Sequence, residues 1–132
     1  MRAIISDPDD PANFRRGVYR FVFRTVPDPL MQALDCPDAS QLAARRETST
    51  TALQALAMLN NRFLVRQTEH IAKDLTLTCD DLESQVAELF LRAYGRSASA
   101  EEIANVTTYA RNHGLANACR VIINSSEFLF VQ

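Results

Sequence analysis

The sequence predicts an all-α fold, a single domain of four to five short helices in a compact orthogonal or up-and-down bundle. Three observations support this class. Apolar residues recur every three or four positions, capping residues precede several of these runs, and Gly95 and Gly114 follow two of them. With 132 residues, of which 47% are hydrophobic and 23% charged, the chain is long and apolar enough to bury one core.

The first third of the chain carries the least regular pattern. Residues 1–13 are expected to form a flexible N-terminal segment, and the helical domain is expected to span 14–132. From Phe14 to Arg24, apolar residues and arginines recur on different faces, which favours an amphipathic helix. The aromatic and β-branched residues of that stretch leave a strand as the alternative. The prolines between Val26 and Ala39 predict an irregular connector.

The clearest helix is predicted to begin at Thr51, because a threonine three residues before Gln54 is typical of a capping box. Its apolar residues predict one stripe: Leu53, Leu56, Leu59, Phe63, Leu64, Ile71 and Leu75. Asn60 and Asn61 interrupt this stripe. They mark either a bend or a place where a side-chain amide is used.

Three further helices are predicted from local start and stop signals. These signals are the pairs Asp80 with Glu83 and Ser99 with Glu102, and the terminating residues Gly95 and Gly114. The last helix is expected to run from Leu115 to about Asn124 and to bury Cys119. The apolar terminus at 128–131 is expected to dock on the core, because its exposure to water would be unfavourable.

No cofactor or metal is predicted from the pattern of reactive side chains. His70 and His113 have no ligand partner three or four residues away. Cys36, Cys79 and Cys119 are far apart, which favours free, buried thiols over a disulfide. No glycine-rich phosphate loop and no nucleophile with an adjacent base is present, so the sequence gives no catalytic residue.

Charge and hydropathy also exclude several classes of partner. The formal net charge of −2 gives no general attraction to nucleic acid. Ala110 and Gly114 have the spacing of a helix-turn-helix turn, but Arg120 is the only basic residue of the next helix, so we expect no nucleic-acid binding. No segment approaches the ~20 apolar residues of a membrane span. The N-terminus also lacks the apolar core of a signal peptide, so the chain as written is expected in the cytoplasm.

Arginines are the most distinctive polar feature of the chain. Together with nearby polar residues they define a candidate anion or partner site: Arg15, Arg16, Tyr19, Arg20, Asn60 and Asn61. The alternative is a solvated arginine face with local ion pairs, and asparagines satisfied by backbone groups or water. Convergence of these side chains in one cleft would favour the site.

Several stretches resemble the carboxy-terminal part of a planctomycete-type, cytochrome-associated family known as domain of unknown function 1553. The first stretch runs from residues 14–19 through Thr25-Val26-Pro27. The others are 35–40, 49–61, Tyr94-Gly95-Arg96 and 123–131. The resemblance implies a large, exported or cell-envelope protein in which this domain follows another domain, often together with a haem domain. It implies no activity. The haem attachment signature Cys-x-x-Cys-His is absent from this sequence, so haem is expected only in related full-length proteins.

Two functional hypotheses follow. The first is a non-catalytic helical interaction or scaffold module of a larger, exported multidomain protein, whose partners are the missing upstream domains or a second copy of the chain. The second is a ligand-binding or enzymatic site that upstream residues complete. The first predicts an apolar face left uncovered in the isolated chain.

Overall fold

The structure is a computed structural model that describes residues 7, 9–11, 14, 30–31, 34 and 52–130. These residues include no β-strand, and the all-α prediction is confirmed. Six helices lie between residues 52 and 130: α1 (Ala52–Asn60), α2 (Arg62–Thr78), α3 (Leu82–Tyr94), α4 (Ala100–His113), α5 (Leu115–Ile123) and α6 (Ser126–Leu129).

The chain divides into two compact units, Met1–Phe63 and Leu64–Gln132. Helix α1 belongs to the first unit, and α3 to α6 belong to the second. The amphipathic element predicted from Phe14 to Arg24 and the Thr51 cap lie outside the described residues, apart from Phe14 itself. The predicted domain boundary at residues 13 and 14 therefore stays a prediction.

The long helix predicted from Thr51 is two helices, separated at Asn61. The Asn61 side-chain oxygen accepts a hydrogen bond from the Phe63 backbone N–H at 2.9 Å, as a residue that caps a helix start does. The Asn60 side-chain amide donates to the Leu56 carbonyl at 3.1 Å. Asn61 thus lies at a helix break, in accord with the predicted interruption at this point.

The apolar stripe predicted along that long helix is buried only in its second part. Leu75 is completely buried, whereas Leu53 and Leu56 are 70% and 57% exposed. The prediction of one stripe along a single helix is therefore wrong for α1. The break at Asn61 puts the leucines of α1 on a separate helix, which belongs to the unit Met1–Phe63.

The core of the second unit forms where α2, α3 and α5 meet. Its buried residues are Ala72 and Leu75 from α2, Val86, Leu89 and Phe90 from α3, and Cys119 and Ile122 from α5. Val106 of α4 packs against the margin of this cluster. Leu75, Val86 and Cys119 have essentially no exposed surface, so the centre of the unit is closely packed.

Local capping chemistry sets the ends of α3 and α4. Asp81 caps α3, and its carboxylate accepts from the Ser84 backbone N–H at 2.9 Å. The predicted cap at Asp80 is therefore one residue early, because Asp81 is the residue with the extended backbone that a cap requires. The capping box of Ser99 and Glu102 is confirmed, and Gly95 ends α3 with a φ of 69°.

The C-terminal residues follow α5 through a short turn into α6. Phe128 remains 40% exposed, while Leu129 and Phe130 are half-buried. The predicted docking of the terminus on the core is thus only partial in the described residues. Among those residues, no helix combines the length and the apolarity needed to cross a bilayer.

Candidate functional site

Most of the arginine site predicted from the sequence lies outside the described residues, namely Arg15, Arg16, Tyr19 and Arg20. Asn60 and Asn61 are described: Asn60 is the last residue of α1, and Asn61 lies between α1 and α2. The amide of Asn60 and the side-chain oxygen of Asn61 each bond to a backbone group. Convergence of the six side chains in one cleft stays a prediction.

One face of α1 is apolar and exposed. It consists of Leu53, Leu56 and Leu59, which are 70%, 57% and 42% exposed, and we call it the leucine face. Residues spaced by three lie on the same side of a helix. The helix has no charged residue, since its sequence is ALQALAMLN. The leucine face is therefore a continuous apolar surface with no charge of its own helix beside it.

A second feature is a charged cluster of Arg96, Glu102 and Glu127, which we call the Arg96 cluster. The guanidinium donates from Nη2 and Nη1 to the two Glu102 carboxylate oxygens at 2.7 and 2.9 Å. It donates from Nε and Nη2 to the two Glu127 oxygens at 2.6 and 2.9 Å. Both pairs are bidentate, the geometry in which arginine binds carboxylates most strongly.

Aromatic rings complete the surroundings of Arg96. The guanidinium carbon lies 5.6 Å from the centre of the Phe90 ring and 5.4 Å from that of Tyr94, within cation–π range. The Tyr94 hydroxyl lies 2.7 Å from the Ser125 hydroxyl. These contacts join Tyr94 and Arg96 to Ser125 and Glu127. They thereby connect the end of α3 to α6.

The Arg96 cluster stabilises the ionised forms of its carboxylates. Hydrogen bonds from Arg96, followed by that from the Ser99 backbone, lower the pKa of Glu102 from 4.5 to about 2. The same guanidinium lowers the pKa of Glu127 and is itself held in its charged form. The guanidinium of Arg96 binds carboxylates from α4 and α6, so the arrangement of this cluster is that of a structural link between helices.

This link predicts a specific dependence of stability on pH. Because the pKa of Glu102 is lower in the folded chain than its usual 4.5, its contribution to stability is present above about pH 4.5. The contribution is lost as pH falls towards the folded pKa of about 2. In Glu102→Gln, we expect a lower melting temperature at neutral pH and a smaller fall in it between about pH 5 and 2.5.

The matched control for Glu102→Gln is Glu101→Gln, since Glu101 is the exposed neighbour in the same first helical turn. Melting curves followed by circular dichroism across this pH range compare the variants with the unsubstituted chain. Equal acid sensitivity in Glu102→Gln and in the unsubstituted chain would contradict a stabilising role for the ion pair.

The sequence predicts that Glu102 belongs to a helix cap, but it does not predict the ion pairs of Arg96. Glu102 lies six residues from Arg96, and Glu127 lies 31 residues away. No helical or strand period connects positions that far apart. The family resemblance is the one available signal, because it includes both Tyr94-Gly95-Arg96 and the segment at 123–131.

A groove of about 450 Å³ opens on the second unit beside Cys79. Its wall includes Ala87 and Leu91 of α3 and Ile103 of α4. Of the three cysteines predicted to be free, buried thiols, Cys36 lies outside the described residues. Cys79 is free but half-buried, and Cys119 is free and fully buried. The described residues contain no group of three or more side chains able to hold a metal ion.

Taken together, these helices and contacts define an all-α domain with one closely packed helical unit. A family model described as a protein of unknown function (DUF1553), PSD1, matches residues 5–110 of the chain. The chain therefore belongs to the DUF1553 family. No curated protein and no solved structure gives a significant match.

Proposed function

We propose that the chain is a non-catalytic helical module that packs, through the leucine face of α1, against another domain of a larger, exported protein. This proposal rests on the exposure of the leucine face. Leucines 70% and 57% exposed on an uncharged helix are unfavourable in water and favourable at an interface.

The size of the leucine face favours a partner within the same polypeptide. A helix of nine residues is about 13.5 Å long. Stable interfaces between separate proteins bury about 800 Å² on each partner, more than one face of so short a helix provides. A domain in the same chain needs less contact area, because the covalent connection already holds it at high effective concentration.

In the isolated chain, where no neighbouring domain covers it, the leucine face is expected to cause weak self-association that increases with protein concentration. Replacing Leu53 and Leu56 by glutamate should shift the chain to a monomer in analytical ultracentrifugation, since burial of two carboxylates in an apolar contact is costly. Glutamate is a good helix former, so α1 should persist. We expect binding of a hydrophobic dye to fall in the same variant.

Leu77→Glu is the control, because Leu77 is 78% exposed on α2 and is not part of the leucine face. This variant should associate as the unsubstituted chain does. A strictly monomeric unsubstituted chain that binds no dye would count against the proposal, as would equal loss of association in Leu77→Glu and in the double variant.

The proposed larger protein is tested separately in source cells. An antibody raised against this chain is expected to detect a band several-fold larger than 14.8 kDa in the exported fraction. A band near 14.8 kDa would overturn the proposal of further domains and leave a small partner-binding protein as the better account.

A further inference from the structure

We draw no further inference here: the strongest candidate, the apolar groove of about 330 Å³ that Ile71, Ala93, Ile123 and Phe128 line between α2, α3, α5 and α6, carries none because nothing in the described part of the chain shows what covers it.

Discussion

Replacing Leu75 by alanine is expected to lower the free energy of unfolding by about 2–5 kcal/mol. Leu75 has no exposed surface and lies in the cluster that joins α2, α3 and α5. Truncation removes the transfer free energy of the side chain and leaves a cavity within this buried cluster. Urea denaturation followed by helical circular dichroism measures the change.

Leu77 provides a matched control for this substitution. It lies two residues further along α2, and 78% of its surface is exposed. Leu77→Ala should therefore change the unfolding free energy by no more than about 0.5 kcal/mol. If the two alanine variants were equally destabilised, this would contradict the orientation of α2 in which Leu75 faces the core and Leu77 faces the solvent.

The two described thiols are expected to differ about 100-fold or more in their rate of alkylation at pH 8. Burial raises the pKa of the Cys119 thiol to about 11, and the side chain has no exposed surface. At pH 8, about one such thiol in a thousand is ionised, and the thiolate is the form that reacts. Cys79 lies half-buried on the wall of an open groove, where a reagent reaches it in the folded state.

A short pulse of iodoacetamide followed by peptide mass spectrometry measures the extent of alkylation of Cys79 and Cys119 in the same sample. The same pulse in concentrated guanidinium is the control, because both thiols are then solvated and should react alike. Rapid labelling of Cys119 under native conditions would mean that α5 does not pack on α2 and α3 as described.

Features determined by local chemistry were predictable from the sequence. The capping box at Ser99 requires only a serine and a glutamate three residues apart, and the end of α3 requires a residue that accepts a positive φ, as Gly95 does. The start of α3 was predicted one residue early. Asp80 and Asp81 are both able to cap a helix, and only the backbone conformation of Asp81 distinguishes them.

Features that depend on distant partners were not predictable. Helical spacing showed that the leucines of α1 share a face, but spacing does not say whether that face is covered. In the same way, neither Arg96 nor Glu127 carries a local signal that identifies the other as its partner. The candidate arginine site remains a prediction, because four of its six residues lie outside the described part of the chain.

The contacts made by α5 and α6 bear on where this domain can be cut. The match to the family model ends at residue 110, yet Cys119 and Ile122 fill the core and Glu127 binds Arg96. A polypeptide trimmed to the matched stretch would expose the apolar surfaces of α2 and α3 and leave Arg96 without its second carboxylate. The unit that folds therefore extends past the stretch that matches the family model. A polypeptide expressed to study this domain should include all helices up to residue 130.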